Sequence, residues 1–316
     1  MDKKGLIIGG NFWDGRATGE ILGNPAADQA LGPFLNPVEQ GLPDNACVVW
    51  RVCDPVVPID YPVPFETVWG AGACSISWPG DIASVCATEG ATVSLSAGDR
   101  AKVDMAYGNI GLSIAAYEAS SEVNAFTSKF DVGKLTKEER RGLSLFKGKG
   151  KCRLCHIVNG KDPLFTDFTY DNLGVPKNPD NPVYNVVPSF IDEGLGGFLK
   201  HAGYPEEVYE EEMGKVKVPT LRNVDLRPSG DFVKAYGHNG YFKSLEGIVH
   251  FYNTRDVKPV CPGPYTEAEA LAADCWPEPE VAENVNVDEL GDLGLTPDEE
   301  AAIVAFLKTL SDGHTP

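Results

Sequence analysis

The sequence lacks any apolar run long enough to cross a membrane, and its basic residues are outnumbered by acidic ones. A membrane-spanning helix needs about 20 predominantly apolar residues, and no stretch of this chain approaches that length. Lys and Arg total 27 against 46 Asp and Glu, which gives a formal net charge of −19. This charge argues against partners such as nucleic acid or anionic membrane surfaces, and it is compatible with a cationic protein partner.

An export signal and an internal repeat are also missing. Met1-Asp2-Lys3-Lys4 is followed only by Leu6-Ile7-Ile8, which is far too short for the apolar segment of a signal peptide. No repeat of about 20–50 residues recurs, so a solenoid is not expected. Gly and Pro are plentiful, at 34 and 24 residues, and predict long loops between the structured elements.

The most informative stretch is Cys152-Arg153-Leu154-Cys155-His156. Two thiols three residues apart, followed at once by an imidazole, are the pattern for covalent attachment of a c-type haem. The thiols would form thioethers to the porphyrin, and His156 would coordinate the iron. A disulfide hairpin or half of a zinc site are the alternatives. Zinc requires a second pair of ligands, and Cys261 and Cys275 are too widely spaced to provide one.

The remaining cysteines indicate an oxidising compartment. An even number of cysteines outside the haem motif is compatible with up to three disulfides; these residues are Cys47, Cys53, Cys74, Cys86, Cys261 and Cys275. The simplest hypothesis pairs them locally, as Cys47–Cys53, Cys74–Cys86 and Cys261–Cys275. Haem attachment and disulfides both imply export, which conflicts with the missing signal. The interpretation is a processed or truncated chain, or a misassigned start.

Hydrophobic periodicity predicts helices separated by loops. The composition of residues 9–40 predicts mostly loop with short helical turns. Residues 41–96 are predicted to form an irregular insertion pinned by disulfides. Over residues 97–121, apolar residues recur at spacings of three and four. A further short helix is predicted over 244–253.

Two other helices have clear start signals. Thr136 with Glu139 forms a capping box before the haem motif, and Thr296 with Glu299 forms another, with Pro297 at the first helical position. The overall prediction is an all-α protein with two mainly helical, loop-rich units.

Several separate stretches resemble one known family, the bacterial dihaem cytochrome c peroxidases together with the related MauG-type enzymes. The matching stretches are FWDGRA at 12–17, GPFLNPVE at 32–39, LSLFKGKGKCRLCH, FTDFTYDNLGVP, KVPTLRNV at 217–224, GHNGYFKSLEGIVHFYN and LTPDEEAAIVAFLKTL. They span nearly the whole chain in the family's order.

The resemblance implies cytochrome c-like domains, each with its own haem c. In the family, the first haem reacts with peroxide and the second passes electrons to it. The one CxxCH motif here lies where the second haem's motif belongs. We therefore expect a truncated N-terminal peroxidase-type domain over 1–131, carrying the disulfide-pinned insertion, and a C-terminal cytochrome c domain over 132–316. A single-haem descendant is the alternative.

Three catalytic candidates follow from the resemblance. Glu39 occupies the place of the distal acid that moves a proton during peroxide cleavage, and Gln29 the place of a pocket glutamine that hydrogen-bonds peroxide. Trp13 lies where the family has an aromatic that relays electrons between haems. The alternatives are a solvated glutamate, a loop amide and a core tryptophan.

The sixth ligand of the second haem is where the sequence departs from many peroxidases. Their methionine is replaced at this place by Tyr252, as in MauG-type enzymes, so His156 and Tyr252 are the expected metal ligands. A phenolate favours ferric iron and lowers the potential relative to a thioether. The alternatives are Met213, His250 or no ligand. His238 is expected to orient a haem propionate or its own turn.

The resemblance also implies a calcium ion, with weak candidate ligands in the backbone oxygens near Val233 and Ala235. The predicted function is peroxide reduction by a periplasmic or otherwise exported enzyme, with electrons supplied by a small cytochrome c or cupredoxin. The alternatives are a single-haem electron carrier and a MauG-like oxidase of a protein substrate. The oligomeric state is left open, with a homodimer as one arrangement.

Overall fold

The computed structural model describes residues 5–54 and 60–314, and these form two compact helical units. One unit comprises residues 17–124, and the other comprises the segment up to Arg16 together with residues from Ala125 onwards. In the described ranges, strands occur only as a two-residue antiparallel pair, β1 (Tyr170–Asp171) and β2 (Val216–Lys217). The all-α fold class is thus confirmed. None of the helices in these ranges has both the length and the apolarity to cross a bilayer.

The unit of residues 17–124 is organised around one long helix. Its helices are α1 (Pro25–Leu35), α2 (Asn45–Cys53), α3 (Pro62–Trp69), α4 (Ile82–Val85) and α5 (Ala97–Glu118). The apolar face of α5, with Val103 and Ile110 buried, packs against α1 and α2. A Cβ added at Gly111 would lie 2.8 Å from the Ala27 carbonyl oxygen. Glycine is therefore required where α5 approaches α1.

Helix α1 is longer than the short turns expected over residues 9–40. It runs for 11 residues, and Asn24 caps it by accepting a hydrogen bond from the Ala26 amide at 2.9 Å. Pro25 occupies the first turn, where its missing N–H costs nothing. Asn24-Pro25 is a sequence signal for the start of a helix, but the glycines around it favoured the prediction of a loop.

The disulfides correct two of the three predicted pairings. The observed bonds are Cys47–Cys86, Cys53–Cys74 and Cys261–Cys275, so only the last pairing is confirmed. Cys47 and Cys53 both lie in α2, where six residues of helical rise separate them by about 9 Å. A disulfide tolerates Cα separations of only about 4.4–6.8 Å. Each cysteine of α2 therefore bonds to a distant loop.

The larger unit contains the remaining helices. They are α6 (Lys137–Lys147), α7 (Val183–Val186), α8 (Gly194–His201), α9 (Glu206–Tyr209), α10 (Leu245–Thr254), α11 (Glu267–Ala273) and α12 (Pro297–Leu307). Both predicted capping boxes are present, at Thr136 and Thr296. Helices α6 and α12 pack so closely that a Cβ on Gly142 would overlap the Ala302 carbonyl. Edge-to-face contacts among Phe130, Phe146, Phe165 and Phe306 complete this core.

Hydrogen bonds attach the segment before Ala17 to the rest of the larger unit. The Gly9 amide donates to the Phe168 carbonyl at 2.9 Å, and the Lys217 amide donates to the Trp13 carbonyl at 2.8 Å. The Lys217 ammonium reaches Asn11 Oδ1 at 3.0 Å. The compact units therefore divide at Arg16 and Asn124, whereas the predicted domains meet at residue 131. That functional division stays a prediction.

Candidate functional site

One cavity of about 390 Å³ lies within the larger unit, inside the range of about 300–1,000 Å³ typical of cofactor sites. It collects six of the residues predicted from the sequence: Trp13, Cys152, Cys155, His156, His238 and Tyr252. Most of the remaining lining is apolar, supplied by α6, α10, α12 and the loop after β2. Residues far apart in sequence thus converge on one pocket.

The thiols reach the cavity through a tight turn after α6. The helix ends at Lys147, and Cys152–Leu154 form a 3₁₀ turn in which the His156 amide donates to the Cys152 carbonyl at 2.9 Å. A Cβ on Gly150 would lie only 3.1 Å from the Leu145 carbonyl oxygen, so a larger residue would crowd the end of α6 just before the thiols. Cys152 and Cys155 are both free of disulfides, as haem attachment requires.

His156 is oriented for binding through one nitrogen. Its Nδ1 lies 2.8 Å from the Phe165 carbonyl oxygen, which can only accept, so Nδ1 carries the proton and donates. Nε2 is then the nitrogen with a lone pair for a metal. Burial lowers the pKa of His156, which favours the neutral imidazole that binds iron.

Tyr252 of α10 lines the same cavity, whereas the two alternative ligands do not. The His250 imidazole lies 3.0 Å from the Glu300 carboxylate, and the Met213 side chain packs against α8 at Gly196. Burial, with the thiols nearby, raises the pKa of Tyr252 well above its usual value. The charge of a bound iron would oppose this effect and favour the phenolate. Tyr252 stays the predicted sixth ligand.

His238 presents an unpaired nitrogen in the cavity lining. Its side chain is only 8% exposed, and its Nδ1 is buried without a hydrogen-bond partner. Buried polar atoms normally have partners. An acceptor on a cavity occupant would satisfy this nitrogen, and the propionate of a haem has that chemistry.

The structure also reveals an acidic group that the sequence did not indicate. The ligand atoms of Cys155, Asp171 and Glu289 lie within 4.8 Å of one another at the cavity wall. Burial raises the pKa of Asp171, although a 2.7 Å hydrogen bond from Asn286 opposes this. Once Cys155 is in a thioether, two carboxylates remain, which is too few for a dedicated metal site.

Trp13 lies at the rim rather than in the core. It is 41% exposed and still contributes to the cavity lining, and β2 fixes its backbone through Lys217. The alternative of a fully packed core tryptophan does not describe it. A residue that contacts both the cavity and solvent suits an electron relay.

The two residues predicted to form the peroxide pocket, Glu39 and Gln29, lie in the unit of residues 17–124. Glu39 is exposed in the turn that follows α1, where its amide donates to the Asn36 carbonyl at 3.0 Å. Gln29 is half-buried within α1. For the calcium site, Val233 is exposed and Ala235 lines the cavity. The roles of all four residues stay predictions.

Haem c fits the residues of the cavity. Two free thiols and a correctly oriented imidazole supply its covalent and axial ligands, and the apolar walls suit a porphyrin face. The unpaired Nδ1 of His238 suits a porphyrin carboxylate. A zinc site would need further ligands at this place. Among the described residues, the grouping that includes either thiol adds only Asp171 and Glu289 to Cys155.

Comparison with known proteins gives a consistent result. No protein-family model matches the sequence. The chain is 31% identical to the methylamine utilization protein MauG of Paracoccus denitrificans, over 98% of this chain and 70% of MauG. It is 29% identical to the cytochrome-c peroxidase IdrP1 of Denitromonas iodatirespirans, over 63% of this chain and 48% of that protein.

The fold is similar to that of a solved structure as well. The dihaem peroxidase BthA of Burkholderia thailandensis matches with a TM-score of 0.70 and 25% identity, over 98% of this chain and 67% of BthA. The chain therefore spans about two thirds of the length of MauG and BthA, and about half of that of IdrP1.

Proposed function

Because the chain belongs to the family of MauG and the dihaem cytochrome c peroxidases, we propose that it is a haem-dependent oxidoreductase that reduces hydrogen peroxide. The observation that carries the proposal is the single cavity into which Cys152, Cys155, His156 and Tyr252 all project. Haem c bound there supplies one-electron redox chemistry at its iron.

The residues of the chain set up this chemistry before any substrate arrives. The Phe165 carbonyl fixes the His156 ring so that Nε2 is available to the metal. The turn at Gly150 brings both thiols to the cavity wall. Apolar side chains from α10 and α12 line the space between them. His156 and Tyr252 would hold the iron of the haem.

Trp13 is proposed as the route by which electrons cross the cavity rim. Its indole is exposed on one side and lines the cavity on the other. Lys217 restrains the segment through its amide and its ammonium group. Glu39 and Gln29 are proposed to handle protons and peroxide at a first haem, as the family resemblance implies.

A second candidate function is oxidation of a protein substrate, in the manner that the resemblance to MauG-type enzymes implies. The observation that favours it is the position of Tyr252 in the cavity, where many peroxidases have methionine. An anionic oxygen ligand stabilises ferric iron relative to a thioether and so lowers the potential. A low potential suits a haem that is to be oxidised rather than one that only accepts electrons.

The proposal places the protein in an exported compartment, with a small cytochrome c or cupredoxin as the electron donor. Three disulfides and two thiols destined for thioethers support this location. The acidic composition would favour a cationic donor.

The proposed function is tested by reducing the purified haem protein with dithionite, removing the excess and adding hydrogen peroxide. We expect the absorbance of the reduced haem to disappear, and Trp13→Phe to slow that step by at least tenfold. Trp69→Phe is the matched control, because Trp69 is partly buried in the other unit. Reduced protein that resists peroxide would favour the electron carrier.

The ligand assignment has its own test in the electron paramagnetic resonance and absorbance spectra of the ferric protein. Tyr252→Phe removes the phenolate oxygen and should change both spectra. Tyr236→Phe is the control, since Tyr236 lines the same cavity and its hydroxyl lies 3.4 Å from an Arg227 nitrogen. Identical spectra for wild type and Tyr252→Phe would exclude this ligand.

A further inference from the structure

His238 is held by a tight turn at the cavity wall. Residues Tyr236 and Phe242 form an antiparallel bridge on either side of it, with the Tyr236 amide donating to the Phe242 carbonyl at 2.8 Å. Gly237 and Gly240 adopt φ angles of 78° and 69°, which only glycine adopts without strain. The turn therefore fixes the direction in which the imidazole points.

The two ring nitrogens of His238 have different surroundings. Nδ1 is buried and has no hydrogen-bond partner, in a residue that belongs to the cavity lining. Nε2 lies 4.0 Å from a carboxylate oxygen of Asp192 and 4.0 Å from one of Glu280. Both distances exceed a hydrogen bond, yet two negative charges this close attract a proton to Nε2.

Glu280 is the more deeply buried of the two carboxylates and is fixed from several sides. Its side chain is 3% exposed. The Tyr184 hydroxyl donates to Oε1 at 3.0 Å and the Asp192 amide at 3.3 Å, while Asn239 Nδ2 lies 3.4 Å from Oε2. These hydrogen bonds fix the orientation of the carboxylate, so it cannot turn away from His238.

We propose that Glu280 is a positioning residue that holds His238 with its Nδ1–H directed at a carboxylate of the haem, and that Glu280 and Asp192 together bind a proton on Nε2 when the haem is reduced. The inference rests on the proposed haem attachment at Cys152 and Cys155, and it does not depend on peroxide turnover.

The charges around His238 are the reason to expect that Nε2 binds a proton when the haem gains an electron. Burial lowers the pKa of His238, and the charges of Asp192 and Glu280 oppose that effect. Behind Glu280 lies Tyr184, with the Lys177 ammonium 3.9 Å from the centre of its ring. The other charged groups of the cavity lining are Lys151, Asp171, Lys217, Arg222, Lys234 and Glu289. Asp192 and Glu280 are the carboxylates whose oxygens lie 4.0 Å from His238 Nε2.

The coupled step is balanced. A one-electron reductant such as dithionite converts ferric to ferrous haem, which removes one positive charge from the cavity. The neutral His238 then takes one proton from solvent onto Nε2, and no covalent bond is made or broken. Because the proton is bound more tightly in the reduced state, the midpoint potential falls as the pH rises through the titration of His238.

The experiment measures the midpoint potential of the haem between pH 5 and 9 by spectroelectrochemistry, without peroxide. Wild type should show a pH-dependent segment. His238→Asn places an amide near the position of Nδ1 and removes Nε2, so its curve should be flat over that segment. Glu280→Gln retains an acceptor for Tyr184 and loses the charge, so the segment should move to lower pH.

Glu283→Gln is the matched control, because this exposed glutamate lies three residues further along the same loop, and its curve should follow wild type. Covalent haem content, measured for each variant, shows that the fold is retained. A flat curve for wild type would overturn the proposal. So would a Glu280→Gln curve that superimposes on wild type, or a His238→Asn curve that retains the segment. Failure to react with peroxide would affect only the proposed function.

Discussion

The two compact units are stabilised in different ways. Residues 17–124 contain two disulfides, both ending in α2, and a core of apolar side chains around α5. The larger unit has one disulfide, between two buried cysteines of its core, and is built around a cavity whose lining includes the buried, unpaired Nδ1-bearing side chain of His238. Cross-links restrict the unfolded chain of the first. A haem bound in the cavity would stabilise the second, because a ligand that binds only the folded state adds to its stability.

An Asp–Arg pair of each unit can be compared, and burial distinguishes the two. Asp131 and Arg222 lie 2.6 Å apart at 9% and 7% exposure, while Asp44 pairs with Arg100 at 2.7 Å with the guanidinium 30% exposed. Removing one partner of a fully buried pair leaves the other charge without compensation, and the cost grows with burial. We therefore expect the Asp131–Arg222 pair to contribute more to stability than the Asp44–Arg100 pair.

The largest expected effect comes from removing the thiols of the cavity. Cys152→Ser with Cys155→Ser eliminates both thioether sites, so we expect complete loss of covalent haem from this motif, measured by haem staining after denaturing electrophoresis. Leu154→Ala is the control, because Leu154 lies between the two cysteines and is largely exposed. Haem that stays covalently bound to the double variant would contradict the attachment site.

A smaller effect is expected from Asp131→Asn. The substitution removes the closer of the two carboxylates that pair with the buried Arg222 and leaves only Asp312, at 3.6 Å. This should lower the free energy of unfolding by up to about 3–5 kcal/mol. Asp44→Asn should cost less, because water reaches Arg100. Urea denaturation of the two variants and wild type at pH 7 measures the difference. Equal losses would contradict the distinction drawn from burial.

The pH dependence of this effect has a defined sign. Burial opposes ionisation of Asp131, but hydrogen bonds from Arg222 and Ser128 outweigh it and lower its pKa. The stabilisation is therefore complete above about pH 4, the ordinary carboxyl pKa in an unfolded chain. It is lost as the pH falls through the lower pKa of the folded state. The stability difference between wild type and Asp131→Asn should shrink over that interval.

The smallest effect is expected from opening a disulfide of the other unit. Cys47→Ala with Cys86→Ala releases a bond that spans 39 residues of sequence, which should cost about 2–4 kcal/mol. Calorimetry measures the loss, and covalent haem content should equal that of wild type. The matched comparison is Cys53→Ala with Cys74→Ala, which opens a span of 21 residues and should cost slightly less. Loss of covalent haem from the Cys47→Ala, Cys86→Ala variant would contradict the expectation that this disulfide stabilises only its own unit.

Features with local causes were predictable from the sequence. The haem motif, the capping boxes at Thr136 and Thr296 and the bond between Cys261 and Cys275 all depend on residues close together in the chain. Side-chain spacing alone determines whether a box can form or two thiols can bind one porphyrin. The family resemblance then led to Tyr252, which does line the cavity.

Features that join distant residues were decided by the tertiary structure. Cys47 bonds to Cys86 because α2 separates it from Cys53, and Glu280 lies beside His238 because two loops meet there. The segment before Ala17 joins the larger unit through hydrogen bonds to residues near 168 and 217. Sequence patterns describe one element at a time. Which loops meet depends on the packing of the whole core, where contacts between distant residues have no local spacing to reveal them.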